Sequence, residues 1–283
     1  HERSSAASDV YKRQKLLCAH NNLKIFFIFV FHLFFMKILV CISCVPDTTS
    51  KINFKENDTV FDDQGVQFVI NPNDEFGLTR AIWFKEKVGA SVDVLHVGQA
   101  SAEPTLRKAL AIGADKAIRI DTHAVDAFVV ADQISNYLQA NPYDLIIAGR
   151  ESIDYNGSMV PGLVAAKSDM SFVNTCVQLE IDGSIATATR EMDGGMEILN
   201  VDLPLIIGSQ KGLVEETDLR IPNMRGIMQA RQKPLEVVPA VESQAKSAIQ
   251  NFEKPTPKAA VKLIPADDID QLIDLLQNEA IVL

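Results

Sequence analysis

One segment of the chain has the residue types of a loop that holds a phosphate. It follows an apolar run at 144–148 (DLIIA), precedes a predicted helix and is rich in Gly, Ser and Asn. The backbone N–H groups of such a loop can converge on an anion at the positive end of the following helix. The same residue types are also common in strand-to-helix turns that bind no ligand. The segment consists of Gly149, Arg150, Glu151, Ser152, Ile153, Asp154, Tyr155, Asn156, Gly157 and Ser158.

Other catalytic motifs are absent from the sequence or too incomplete to assign. Cys41 and Cys44 have CxxC spacing, but they lie at the end of a predicted strand and not at the start of a helix, where a thiolate would be stabilised. A structural zinc site would need a second pair of ligands with similar spacing. The P-loop, GxGxxG, GxSxG and HExxH patterns do not occur. We therefore predict no catalytic residue and no bound metal.

The composition is that of an ordinary soluble globular protein. Of the 283 residues, 47% are hydrophobic and 23% are charged, and the net charge is −10. A surface that follows nucleic-acid phosphates needs a positive stripe, so this acidic balance argues against nucleic-acid binding. Four cysteines in a chain of this length do not form a disulfide framework, which favours a reducing compartment. We expect a small-molecule or protein partner.

Residues 1–35 differ from the rest of the chain. Residues 23–35 are almost wholly apolar, but this run is too short to span a bilayer, which needs about 20 residues of helix. No small-residue cleavage site follows the run, and the next residues, MKILV, have the pattern of a first strand. We therefore predict that the native chain begins at Met36, that residues 1–35 are a non-native or untranslated leader, and that the protein does not insert stably in a membrane.

From Met36 onward, short apolar runs alternate with amphipathic stretches, which is the pattern of a parallel sheet with crossover helices. The fold class that this predicts is α/β, with a doubly wound, mostly parallel, Rossmann-like sheet of the adenine-nucleotide-binding type. Ligands of such sheets lie beyond the carboxyl ends of the strands. We predict strands at 37–43, 66–70, 91–97, 117–121 and 144–148, and helices from Asn73 or Asp74, from Ser101 to Gly113, and from Ala127 to the residues before Pro142.

The chain changes character after about residue 170. Residues 171–209 contain apolar runs separated by Asp-Gly turns, which are strong hairpin signals, so we expect three or four strands and an antiparallel addition to the sheet. Residues 239–262 are rich in Pro, Ser, Lys and Glu, as in a linker or extended arm. A helix from about Ala266 follows, and its apolar stripe docks either on its own domain or on a partner subunit. The predicted domains are 36–238, which binds nucleotide, and 239–283, a linker with a partner-clasping arm.

Residues 220–231 (RIPNMRGIMQAR) combine apolar side chains with three arginines and several turn-forming residues. Such a loop often presents an apolar anchor within a basic rim to a protein partner. A packed connecting segment can have a similar composition, so the pattern leaves both interpretations open.

Several segments resemble the electron transfer flavoprotein beta subunit, and the similarity covers essentially residues 36–283. They are MKILVCISCVPDT at 36–48, INPNDE at 70–75, RKALAIGAD at 107–115, REMDGGME at 190–197 with PLII at 204–207, and RIPNMRGIMQARQKP at 220–234. The last of these resembles the loop by which that subunit engages dehydrogenases, with the anchor at Ile221. The partner-binding residues that the resemblance implies are Ile221, Pro222, Asn223, Met224 and Arg225.

The resemblance implies a heterodimer in which an alpha subunit carries the redox-active FAD and the beta subunit holds a structural AMP. It implies no bond chemistry in this chain, which would help to shuttle electrons from acyl-CoA dehydrogenases, in fatty acid oxidation, to a quinone oxidoreductase or another acceptor. A cytoplasmic location in a bacterium is implied as well. The AMP-binding residues carried over from the family are Cys41, Asn71, Pro72, Asn73, Asp74, Val97 and the 149–158 loop.

Departures from the family pattern leave alternatives. The segment 154–159 is shorter than in mammalian-type subunits and lacks the DTxxVGP arrangement of bifurcating relatives, which hold a second FAD in place of AMP, so AMP is the expectation. Thr48 and Asn73 stand where some members place aromatic residues against the flavin. The alternative functions are a nucleotide-binding regulatory module, which usually lacks a long C-terminal arm, and an adenine-nucleotide-using enzyme, whose SGGxDS loop does not occur here.

Overall fold

The computed structural model describes residues 36–257 and 260–282. The predicted leader at 1–35 lies outside the described residues, so the start at Met36 stays a prediction. The described chain forms two compact units, one made of residues 36–52 and 63–248 and the other of residues 53–62 and the described part of 249–283. All the candidate site residues belong to the first unit.

The strands of the described chain are β1 (Lys37–Cys41), β2 (Cys44–Pro46), β3 (Asn53–Lys55), β4 (Val60–Asp62), β5 (Phe68–Ile70), β6 (Ser91–Val97), β7 (Lys116–Asp121), β8 (Leu145–Gly149), β9 (Ser171–Asp182), β10 (Ile185–Met192), β11 (Gly195–Asp202), β12 (Leu205–Ser209) and β13 (Leu235–Pro239). The α-helices are α1 (Pro72–Val88), α2 (Glu103–Ile112), α3 (Ala127–Ala140), α4 (Val160–Ser168), α5 (Met224–Ala230) and α6 (Ile269–Asp274).

Nine strands form one sheet in the order β11-β10-β9-β12-β8-β1-β6-β7-β13. Adjacent strands are parallel along the part β9-β12-β8-β1-β6-β7-β13, whereas β10 is antiparallel to both of its neighbours, β9 and β11. Strands β8 and β12 are buried along their whole length, because helices cover both faces of the parallel part. The predicted α/β class is confirmed, with an antiparallel addition at one edge.

The strand predicted at 66–70 lies elsewhere than expected. Residues Phe68–Ile70 form β5, which pairs antiparallel with β2 in a separate two-stranded sheet. The neighbours of β1 in the large sheet are β6 and β8, so no position beside β1 is left for β5. The prediction that this segment is a strand was right, but its place in the parallel sheet was wrong.

Three predicted helix starts differ from the structure by two or three residues. Helix α1 begins at Pro72 with Asn71 as N-cap, two or three residues before the cap expected at Asn73 or Asp74, because proline is tolerated where its missing N–H has no helical partner. A short 3-10 turn at Ala100–Ala102 precedes α2, which starts at Glu103. The terminal helix α6 starts at Ile269, after Asp268, whose side chain accepts the N–H of Gln271 at 3.1 Å.

Helices pack on both faces of the sheet. On one face, Ile38 and Val40 of β1 share a core with α1 and α2, and on the other face Leu39 and Cys41 share a core with α3 and α4. The alternation follows from the two-residue period of a strand. No helix within the described residues is both long enough and apolar enough to cross a membrane.

The first unit extends past the predicted domain boundary at residue 238. Val241 exchanges two hydrogen bonds of 2.8 Å with the side chain of Gln133 on α3. The hydroxyl of Ser243 donates to Asp132 at 2.6 Å, and the N–H groups of Lys246 and Ser247 donate to Asp126 at 2.7 and 2.9 Å. Residues 241–247 therefore run along α3. Whether the remaining chain clasps a partner stays a prediction.

Candidate functional site

The candidate site lies where the parallel strands β1, β6, β8 and β12 end. Their carboxyl ends meet at one edge, since the register pairs Cys41 with Ala148 and Gly149 with Ser209. The 149–158 loop leaves β8 at this edge and leads into α4. Helix α1 begins at the same edge. Open α/β sheets bind their ligands in such a place.

Asp74 connects the first turn of α1 with two of the strand ends. It is buried, and its two carboxylate oxygens accept the N–H groups of Ser43 and Gly149, each at 2.7 Å. Burial raises the pKa of this carboxyl to about 7, against the hydrogen bonds from its neighbours, which lower it. The positive end of the helix also favours the charged form. Asp74 is therefore a fixed acceptor whose charge changes near neutral pH.

Two asparagine side chains hold the first half of the loop. The amide groups of Asn71 and Asn73 both donate to the backbone carbonyl of Glu151 at 3.0 Å. The Oδ1 atom of Asn71 accepts the N–H of Ile153 at 3.2 Å. Pro72 between them occupies the first helical position. We call Asn71, Asn73 and Asp74 of the INPNDE segment the clamp, because their side chains hold the 149–158 loop by hydrogen bonds. The structure thus brings these two predicted parts of the site together.

Gly149 has no space for a side chain. A Cβ atom at this position would lie 2.9 Å from Asn71 Nδ2 and 3.0 Å from Asn73 Cβ, and it would also overlap a carboxylate oxygen of Asp74. The glycine therefore permits the close approach between the end of β8 and the start of α1.

Ser209 also belongs to the site, although no sequence motif indicated it. It is buried at the end of β12, and its hydroxyl lies 2.8 Å from the carbonyl oxygen of Asn73 and 3.2 Å from that of Ala148. Its own carbonyl accepts the N–H of Arg150 at 2.8 Å. The one available signal was a polar residue that ends a wholly apolar strand at the edge where ligands bind.

The outer half of the loop is less tightly held. Tyr155 is 67% exposed, and Asn156 and Ser158 have positive φ angles of 49°. The carboxylate of Glu151 accepts hydrogen bonds from Ser158 Oγ at 2.8 Å and from Arg150 at 2.7 Å, and these keep its pKa below the usual range. Helix α4 then starts with Met159 as N-cap, which provides no side-chain cap. The N–H groups of Val160 and Gly162 are therefore available to an anion, whereas Pro161 between them has no N–H.

Cys41 and Val97 lie at the ends of β1 and β6 and are both buried. They belong to the core on the side of α3 and α4. Burial raises the pKa of the Cys41 thiol to about 12, so this residue contributes an apolar wall and not a thiolate.

The CxxC pair has no features of a reactive site. Burial raises the pKa of Cys44 to about 11. Its Sγ lies 3.9 Å from Nδ1 of His96, but that nitrogen lies 2.8 Å from the carbonyl oxygen of Ile42 and must donate its proton to it. The same nitrogen cannot then accept a proton from the thiol. His96 is a structural donor here.

The predicted docking loop leaves Ile221 on the surface. Ile221 is 83% exposed and Met224 is 76% exposed, which is unusual for apolar side chains of this size. Asn223 caps α5, because its Oδ1 accepts the N–H of Gly226 at 2.8 Å. Pro222 and Arg225 flank this cap. The five predicted residues thus lie just before α5 and in its first turn, where four of them are exposed and Pro222 is half-buried.

Comparisons with known proteins agree with the architecture. A family model described as the electron transfer flavoprotein domain matches residues 58–243. The chain is 33% identical to the electron transfer flavoprotein subunit beta of Bacillus subtilis over 88% of its own length and all of that protein. It is 37% identical to the subunit of the same name from Syntrophomonas wolfei over 80% of this chain and 88% of that protein. A mitochondrial subunit beta of Arabidopsis thaliana is 33% identical over 87% of this chain and 99% of its own. The chain belongs to the electron transfer flavoprotein family, within its beta subunits.

Proposed function

We propose that this chain pairs with an electron transfer flavoprotein alpha subunit and holds AMP at the 149–158 loop. In this assembly the alpha subunit carries FAD, whose isoalloxazine ring supplies the redox chemistry when it is bound. The pair carries electrons from acyl-CoA or related dehydrogenases, in fatty acid oxidation, to a quinone oxidoreductase or another acceptor. We place it in the bacterial cytoplasm. The observation that carries the proposal is the clamp of Asn71, Asn73 and Asp74 on the 149–158 loop.

The residues of the site suit an adenine nucleotide. The first half of the loop is fixed in advance by hydrogen bonds to the clamp, so little conformational entropy is lost when a ligand binds. The outer half leads to the start of α4, which has no side-chain cap, and a phosphate there would find the N–H groups of Val160 and Gly162. Cys41 and Val97 form the apolar end of the site. AMP is favoured over a second FAD because the loop is short.

In this proposal the chain performs no bond chemistry. Its residues position a nucleotide and a partner, and two buried groups that could act as an acid or a base, Asp74 and His96, already make structural hydrogen bonds. Asp74 accepts two backbone N–H groups, and His96 donates to a carbonyl. This supports an electron carrier subunit over an adenine-nucleotide-using enzyme.

The composition of the purified complex tests the proposal. The chain is co-expressed with an electron transfer flavoprotein alpha subunit, and bound nucleotide and flavin are identified by mass spectrometry and absorbance. We expect one FAD and one AMP per pair. Two FAD per pair would place the protein with bifurcating relatives, and a stable, flavin-free homodimer would favour a regulatory module. Hydrolysis of added ATP would revive the enzyme alternative.

Replacing the anchor residue tests the dehydrogenase interaction. Burial of an exposed isoleucine on a partner contributes ~1.5–3 kcal/mol, so Ile221→Ala should lower kcat/KM for the dehydrogenase by about 10- to 150-fold. Flavin content and thermal stability should not change, since Ile221 is 83% exposed. Ile185→Ala is the control, because Ile185 is 48% exposed at the start of β10. Loss of flavin in the Ile221 variant would instead assign this loop to the interior of the complex.

A further inference from the structure

A cavity of about 500 Å³ lies between α2 and α5, beside the docking loop. Its walls combine a hydrophobic surface with a basic rim, and none of the described residues that line it is acidic. The apolar part includes Ala111, Pro222 and Ile227, and the basic part consists of Arg107, Lys108 and Arg231.

This cavity, which we call the groove, is formed by contacts that hold α5 against α2. Nη1 of Arg107 donates to the carbonyl oxygens of Ala230 and Lys233, both at 2.7 Å. The ammonium group of Lys233 in turn donates to the carbonyl of Leu110 in the last turn of α2 at 2.9 Å and to that of Ala114, just after α2, at 2.6 Å. Gly226 allows the close approach, since a Cβ there would overlap the carbonyl oxygen of Ala111. The groove therefore has a fixed shape before anything binds.

The positive charge of the groove is only partly compensated. Lys108 pairs with Glu75 at 3.1 Å, and its side chain remains 40% exposed. Within the described residues, neither Arg107 nor Arg231 has a carboxylate within ion-pair distance. Arg225 on α5 adds a further exposed cation. This local excess stands out on a chain whose net charge is −10.

We propose that this groove receives a carboxylate-bearing segment of the dehydrogenase while Ile221 enters an apolar site on the same protein. The inference rests on the proposed function and specifies the chemistry of the partner surface. The guanidinium and ammonium groups at the rim attract carboxylates, and the apolar floor accepts the aliphatic part of an acidic side chain. Because this chain is acidic overall, its net charge repels a carboxylate-bearing segment, whereas the basic groove attracts it, and this contrast orients the encounter.

A pair of substitutions that replace cations by neutral side chains tests the groove in the intact heterodimer. Lys108→Gln combined with Arg231→Gln removes two rim cations and leaves the helix contacts of Arg107 in place. Reduction of the heterodimer by a purified acyl-CoA dehydrogenase is measured between about 20 and 500 mM salt. We expect kcat/KM to fall roughly 10-fold at the lowest salt and less than about twofold at the highest, because salt screens exposed charges.

Lys167→Gln is the matched control. Lys167 on α4 is also paired with a carboxylate, at 2.5 Å from Asp132, and is 34% exposed, but it lies on the opposite face of the sheet. This variant should keep the salt dependence of the wild type. An unchanged salt dependence in the Lys108/Arg231 variant would overturn the groove as a carboxylate site. Weaker binding of the alpha subunit with unchanged reduction kinetics would overturn it as well, because the alpha subunit would then cover the groove.

The two proposals fail in different ways. If Ile221→Ala lowers kcat/KM but the Lys108/Arg231 variant does not, the docking loop stands and the groove inference is wrong. If neither variant affects reduction by the dehydrogenase, the docking role proposed for this whole surface is wrong.

Discussion

Replacing Asp74 by Asn tests the polar junction beneath the proposed nucleotide site. The wild-type carboxylate accepts one backbone N–H with each oxygen, from Ser43 and from Gly149, both at 2.7 Å. Asparagine has the same shape but offers one acceptor oxygen and one NH₂ group. One of the two buried N–H donors therefore faces another donor. Leaving a buried donor unsatisfied costs ~1–3 kcal/mol, so we expect the free energy of unfolding to fall by about 2 kcal/mol.

The same substitution has a pH signature. Burial raises the folded-state pKa of Asp74 from 3.8 to about 7. Between these two values the folded state binds more protons than the unfolded state, so this group lowers stability as pH rises, by at most about 1.4 kcal/mol per pH unit. The Asp74→Asn variant has no ionisable group at this position, so its stability lacks this pH dependence. The stability lost by the substitution should therefore be larger at pH 5 than at pH 8.

Urea denaturation followed by circular dichroism, at several pH values from 5 to 8, measures both effects. Asp47→Asn is the control, because the Asp47 carboxylate accepts hydrogen bonds from Thr49 that lower its pKa, which places its titration below this range. Parallel pH profiles of the wild type and the Asp74 variant would refute the raised pKa. They would mean that the hydrogen bonds outweigh burial at this carboxyl.

Three further outcomes follow from the structure. Gly149→Ala should cost ~1–3 kcal/mol by overpacking against Asn71 and should release bound AMP from the purified heterodimer, whereas Gly195→Ala, with open space at its Cβ position, should do neither. Burial raises the pKa of the Cys41 and Cys44 thiols to about 12 and about 11. At pH 8 they should therefore react with a disulfide reagent at least about 100-fold more slowly in the folded chain than in urea. Equal rates would show that the pair is exposed. Truncation after residue 248 keeps the contacts of 241–247 with α3 and should weaken binding to the alpha subunit; unchanged affinity in calorimetry would contradict the clasping arm.

The sequence predicted the elements whose signals are local. The apolar run at 144–148, the turn residues after it and the helix at 160 lie next to each other in the chain, so the 149–158 loop could be located without knowledge of the fold. The parallel sheet followed from the alternation of strands and helices. The Asp-Gly turns at 182–183 and 193–194 marked the hairpins between β9, β10 and β11 correctly.

The remaining parts of the site depend on which strands become neighbours. Ser209 reaches the site because β12 lies beside β8, although about sixty residues separate the two strands in the chain. Ser43 contributes only a backbone N–H, which any residue could provide. The wrong placement of β5 has the same cause, since an isolated apolar triplet does not indicate which strand it pairs with. The resemblance supplied residues such as Asn71 and Asp74, but not the contacts by which they hold the loop.

Helix α1 connects the two surfaces that the proposed function requires. Asp74 in its first turn accepts the N–H of Gly149 in the 149–158 loop. At the docking loop, the guanidinium of Arg220 donates to Glu86 in the last turn at 2.6 Å, and the backbone N–H of Arg220 donates to Oγ1 of Thr79 in the middle of the helix at 3.3 Å. A helix of 17 residues is a rigid element about 25 Å long. A nucleotide that never reacts would still contribute by fixing the start of this helix, and thereby the position of the loop at its other end. This would be a physical reason for the structural AMP that we propose, in a subunit proposed to orient partners.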